Sequence, residues 1–332
     1  MKTYQKKLVG FLLIIILLTT SCTAKPITSN QSTPTVNPVL RTEVSTPSPT
    51  LSPTESPTLP PLTSTSTLTS TPTITLPPTE TPFPQLIVDD KNIPMVLVPA
   101  GPFTMGVKDR AKIEQPPHTV YLDNYYIDQF EVTFEWFAQF LNEKGNQFEG
   151  LANWIEANDP DLRVHLKNDT WVVDEGNEKF PMNEMTWYGA RAFCEWRGGR
   201  LPTEAEWEKA ARGTDERPYP WGDGIDCSLA NYASCVHASV PVDSYPEGKS
   251  PYGAYNLAGN MMEWVNDTYA PDYYANSPAE NPTGPETGSF RIIRGGSWIN
   301  NVGQLRTTHR YPKLPVLTFT SVGFRCVREV SP

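Results

Sequence analysis

No aromatic residue occurs between Thr23 and Pro82. Thr, Pro and Ser dominate that stretch, as in TPSPTLSPTESPTLPPLTSTSTLTSTPTITLPPTETP, and its apolar surface is too small to offset the entropy of ordering. A disordered stalk with polyproline character is expected there. At about 3.1 Å per residue its full extension approaches roughly 180 Å. Basic blocks are missing too. Beyond the first few residues Lys and Arg are scattered, the formal net charge is −10 and the isoelectric point is near 5.0. Phosphate neutralisation needs clustered cations, so nucleic acid is excluded as a partner. There is no G-x-S-x-G elbow, Walker loop, dinucleotide fingerprint or H-E-x-x-H pair. The four histidines, His118, His165, His237 and His309, stand at no metal-ligand spacing from one another. His309 is read as a hydrogen-bonded residue at a loop edge.

What is present begins with an export grammar. Lys2, Lys6 and Lys7 precede Leu8–Leu18, which is apolar apart from Gly10. At about eleven residues that run falls short of the roughly twenty a bilayer span needs. Thr19-Thr20-Ser21 then leads to Cys22, as at a bacterial lipoprotein cleavage site, although Thr19 stands where Leu is usual. Lipidation of Cys22 is expected; an ordinary cleaved signal or an uncleaved anchor are the alternatives. The organisation follows as a signal over 1–22, a stalk over 23–84 and a globular domain over 85–332. The domain would be extracytoplasmic, lipid-anchored to a bacterial membrane or secreted, with the stalk lifting it off the surface.

About 245 residues suffice for a real core, and all nine tryptophans lie beyond the stalk. Within Phe193–Gly213 (FCEWRGGRLPTEAEWEKAARG), Thr203 and Glu206 form a capping box. Trp207, Ala210 and Ala211 follow at helical spacing and Gly213 supplies a stop, so a short helix docked on a core is predicted. Cys227 and Cys235, in DCSLANYASC, are close enough for a local disulfide, which export favours. The alternative is a thiolate pair holding a soft metal such as Cu(I).

Seven segments in order resemble the sulfatase-modifying factor family, whose founding activity oxidises a sulfatase cysteine to formylglycine. They are Met95–Gly106 (MVLVPAGPFTMG), Pro117–Thr133 (PHTVYLDNYYIDQFEVT), the Phe193–Gly213 string, Trp221–Asp223, Tyr255–Trp264 (YNLAGNMMEW), Arg294–Trp298 (RGGSW) and Gly323–Cys326 (GFRC). The resemblance covers roughly Met95 to Glu329. It implies an α+β, C-type-lectin-like formylglycine-generating-enzyme fold with little regular secondary structure, and a disulfide between Cys194 and Cys326. In formylglycine-generating enzymes two cysteines follow the RGGS strand and bind Cu(I), which prefers soft sulfur donors. Here Asn300 and Leu305 stand in their places. Neither side chain replaces a thiolate, so catalytic residues are absent at the expected positions and copper is not expected.

The resemblance also implies calcium. Asn256 and Glu263 would give side-chain oxygens, and Gly259 and Met261 carbonyls, the oxygen-only set that Ca²⁺ prefers. A second family site would use Asn231 and the Tyr232 carbonyl, but Ser234 stands where its Asp belongs, which weakens it. An exported, membrane-tethered binding module is therefore expected, with a peptide or glycan ligand and a ligand surface at Trp298, Arg306 and Arg310. The alternatives are a formylglycine-generating oxidase with unrecognised ligands and a structural envelope module.

Overall fold

A computed structural model describes residues 83–233 and 235–330 of the 332. The export signal with Cys22, the stalk through residue 82 and Ser234 lie outside the described residues. In chain order the first strands are β1 (Leu86–Val88), β2 (Pro94–Val98), β3 (Gly101–Met105), β4 (His118–Leu122) and β5 (Tyr125–Asp128). Helix α1 (Phe134–Lys144) follows, then β6 (Phe148–Glu149), β7 (Ala152–Asn153), β8 (Val164–Lys167) and β9 (Thr170–Val173). Helices α2 (Trp187–Trp196) and α3 (Glu204–Arg212) precede β10 (Met262–Thr268), β11 (Arg291–Arg294), β12 (Arg310–Lys313), β13 (Val322–Phe324) and β14 (Val327–Glu329). Among the described residues no helix is long and apolar enough to cross a membrane.

Two four-stranded sheets carry the fold, one ordered β1-β2-β5-β14 and the other β12-β11-β10-β13. Pairing is antiparallel throughout except between β10 and β13. Strand β2 reads PMVLV without alternation because both of its faces are covered. Val96 and Val98 join the core around Trp207, while Met95 and Leu97 pack with Tyr126 on the other side.

Local chemistry sets the helices. Thr133 caps α1 by accepting from Trp136 N, and Phe134, Phe137, Ala138 and Leu141 then fall on one buried stripe. Phe137 stacks on Phe193 of α2 at 5.4 Å. The capping box predicted at α3 is formed: Glu206 N donates to Thr203 Oγ1 at 3.2 Å and Thr203 N to Glu206 Oε2 at 2.7 Å. All nine residues of α3 are buried, including Glu204, Glu206, Glu208, Lys209 and Arg212. Its carboxylates and Arg212 are paired inside rather than solvated, with Arg294 contacting Glu204 at 2.9 Å and Glu208 at 2.6 Å, while Lys209 donates to the Pro99 and Gly101 carbonyls.

The GFRC segment stitches the halves together. Phe324 ends β13 in one sheet and Val327 begins β14 in the other, with Arg325 and Cys326 between. Cys326 is bonded to Cys194 of α2, and Cys227 to Cys235, each pair with Cα atoms 5.5 Å apart. Arg325, fully buried, grips Glu263 of β10 at 2.6 Å and donates to the carbonyls of Asp128 and Tyr255.

Candidate functional site

The RGGSW turn leaves β11 through two left-handed glycines, Gly295 at φ 89° and Gly296 at φ 69°. A Cβ on Gly296 would lie 2.8 Å from the Gln304 carbonyl, so only glycine fits where the following loop folds back. That loop carries the two positions expected to be degenerate. Asn300 Oδ1 accepts from Ser297 N at 2.9 Å and Ser297 Oγ at 2.7 Å, and its Nδ2 donates to Gln304. Its amide is spent on closing its own turn. Leu305 is fully buried against Tyr219, Ala230, Tyr232 and Ala258. An amide locked in a turn and an apolar plug therefore occupy the positions where copper thiolates were sought. This donor set does not fit Cu(I).

The expected ligand surface divides. Arg310 is 1% exposed; its Nε and Nη2 clasp Glu204 at 2.6 and 2.7 Å, and its guanidinium lies 4.1 Å over the Tyr274 ring. It is packed away and faces no ligand. Arg306 is largely covered and holds Glu114 at 3.1 Å. Burial alone would raise the Glu114 pKa, but hydrogen bonds from His309 and Thr308 and the Arg306 charge lower it to about 2. His309 thus serves a buried carboxylate, as a hydrogen-bonded residue would. Trp298 lines an open cavity.

The turn from Asn256 to Glu263 closes around a carboxylate that sequence reasoning missed. Glu131, fully buried at the end of the DQFE stretch, accepts from Asn256 Nδ2 at 2.7 Å, Asn260 Nδ2 at 3.0 Å and Met261 N at 3.1 Å. Burial and the nearby Glu263 push its pKa up to about 8 against the opposing pull of Arg325, Asn256 and Asn260. Glu263 accepts from Trp207 Nε1 at 2.7 Å and from Arg325 on both oxygens. Asn256 directs its Nδ2 at Glu131 and the Val242 carbonyl, which leaves Oδ1 as its ligating end. Asn256 Oδ1 and the main-chain carbonyls of this turn are hard oxygen donors of the kind Ca²⁺ prefers, while both Glu263 oxygens are engaged by Arg325. At the second position, Asn231 is committed to its own loop: Nδ2 donates to the Ala238 carbonyl at 2.6 Å and its carbonyl accepts from Asn260 N. The Tyr232 carbonyl accepts from Cys235 N.

Comparison with known proteins decides the family. Residues 85–330 match the sulfatase-modifying factor enzyme 1-like domain. The chain belongs to this family. The formylglycine-generating enzyme of Streptomyces coelicolor is 34% identical over 281 residues, covering 70% of this chain and 88% of that one. A protein named serine/threonine-protein kinase pkn1 from Chlamydia caviae is 37% identical over 239 residues, covering 71% of this chain. The chain spans only 38% of that relative's length. Among solved structures, PvdO from Pseudomonas aeruginosa superposes with a TM-score of 0.60 at 24% identity, over 74% of this chain and 98% of that one. The α+β sulfatase-modifying-factor fold is thereby shown, with few helices and many short strands.

Proposed function

We propose that this member of the sulfatase-modifying factor family is not a copper oxidase but a ligand-binding module, displayed outside the cytoplasm and tethered through a lipid on Cys22. The supporting observation is the pair Asn300 and Leu305, one tied into its turn and one sealed in apolar packing. Cu(I) chemistry requires soft thiolates at those places. Competition with a chromophoric Cu(I) chelator is the test. The natural chain is expected to withdraw no copper, whereas an Asn300→Cys/Leu305→Cys variant competes. Tight capture by the natural chain would sink the non-oxidase reading.

Calcium at the 256–263 turn belongs to the same proposal. Asn256 and Glu263 would hold the ion by side-chain oxygens and Gly259 and Met261 by carbonyls, and its charge would offset the carboxylate excess around Glu131. Adding Ca²⁺ to chelator-treated protein should raise the melting temperature by several degrees, since a ligand at 100 times its Kd adds about 2.7 kcal/mol. An unchanged melting curve would remove calcium from the proposal.

A further inference from the structure

Resting on the reading of the 256–263 turn as a cation site, we infer that Cys227–Cys235 is a redox switch on the order of that turn. The two disulfides differ in access. Cys194 and Cys326 are 0% and 1% exposed, so a reductant reaches them only through an opened core. Cys227 is exposed, and Cys235 is half-buried against the cluster of Tyr219, Tyr232 and Leu305. Exposed bridges are the labile and regulatory ones, whereas structural bridges resist reduction. The reductant required is a dithiol. One of its thiolates attacks Cys227 Sγ and expels Cys235 as a thiolate; its second thiol then displaces Cys227 from the mixed disulfide. The bridge takes up two electrons, the dithiol becomes a disulfide, and its two protons end on the cysteine sulfurs.

Asn231 lies midway between the two cysteines, buried, and its backbone rests on the turn. Its carbonyl accepts from Asn260 N at 2.8 Å. A Cβ on Gly259 would lie 2.5 Å from that same oxygen, so the two backbones touch directly. Asn260 carries the contact inward: its Nδ2 donates to Glu131 Oε2 at 3.0 Å, and its Oδ1 accepts from Val240 N at 2.9 Å. The turn needs such support. Asn256 at φ 55°, Gly259 at φ 88° and Asn260 at φ 58° all sit in left-handed backbone, and for non-glycine residues that conformation persists only where the surroundings enforce it. With the bridge closed, both ends of the segment carrying Asn231 are pinned. Opening it frees them, and the turn loses an enforcing partner without any change in its own residues.

The test equilibrates the full chain in mixtures of reduced and oxidised dithiothreitol, traps free thiols by alkylation and reads each cysteine pair by mass spectrometry. Cys227–Cys235 should open in mixtures that leave Cys194–Cys326 closed. In that half-reduced protein the Asn260 and Met261 amides should exchange with solvent about tenfold faster, as the loss of one hydrogen bond implies. The Phe137 amide, bonded within α1 to the Thr133 carbonyl, should not change. A Cys227→Ser/Cys235→Ser variant should match the half-reduced protein at every dithiothreitol ratio. By calorimetry, Ca²⁺ should bind the oxidised chain about tenfold more tightly than the half-reduced one. Reciprocally, saturating Ca²⁺ should lower the midpoint potential of the bridge by about 30 mV, the equivalent of tenfold for two electrons. Opening of both bridges together, or equal amide exchange in the two states, would overturn the switch. Equal Ca²⁺ affinity in the two states would overturn it and leave the cation reading standing. An oxidised chain that binds no Ca²⁺ would overturn the cation reading, and the amide exchange would still decide whether the bridge orders the turn.

Discussion

Replacing Arg325 with alanine is expected to destabilise the domain by about 3–5 kcal/mol, the loss typical of breaking a buried ion pair from one side. The guanidinium is fully buried and contacts Glu263 twice, while reaching carbonyls from two other segments. In chelator-treated protein, removing it leaves Glu263 and Glu131 close together without a cation. Equilibrium urea unfolding measures the loss. An Arg325→Met/Glu263→Gln double variant should recover much of it, because two neutral groups of similar volume leave no charge stranded. The deficit should also depend on pH. Glu131 titrates near 8 in the natural fold and near 4.5 when unfolded, so its contribution to stability declines as pH rises from about 4.5 to about 8 and is level above. Without Arg325 its pKa rises further, and the decline continues past pH 8. The gap between the two proteins should therefore be wider at pH 9 than at pH 6. An equal gap at both would show that Arg325 does not act on Glu131.

The second large effect concerns Cys194–Cys326, which closes a separation of 132 residues. The chain-entropy relation gives about 5 kcal/mol for such a loop, and measured bridges more often give 2–4, so a Cys194→Ala/Cys326→Ala variant should lose about 3–5 kcal/mol. The bridge also ties α2 to the segment joining the two sheets, so its loss should loosen both. Cys227–Cys235 spans only 8 residues, for which the same relation gives about 2–3 kcal/mol. Thermal unfolding of the two double variants ranks them. If removing the short bridge costs more than removing the long one, loop closure is not what stabilises this domain.

The fold was legible where chemistry is local. The Thr203–Glu206 capping box, the α3 apolar stripe and the Cys227–Cys235 bridge each follow from residues a few positions apart. What could not be read was the pairing of charges across the fold. Glu204, Glu208, Arg294 and Arg310 are separated by up to about a hundred positions, and nothing in their spacing announces that they meet in the interior. The same holds for the surface expected at Arg306 and Arg310. Their position beside the RGGSW turn was clear, but Glu114, 192 residues upstream of Arg306, and Glu204 draw them inward. Glu131 was hidden for the same reason, being 125 residues from the Asn256 it anchors.

The most direct measurement incubates the full chain with Cu(I), oxygen and a sulfatase-type cysteine peptide, and reads the peptide by mass spectrometry. With Asn300 and Leu305 in the places of the copper thiolates, no aldehyde should form. An aldehyde product from the natural sequence would contradict the non-oxidase reading and require metal ligands elsewhere in the chain.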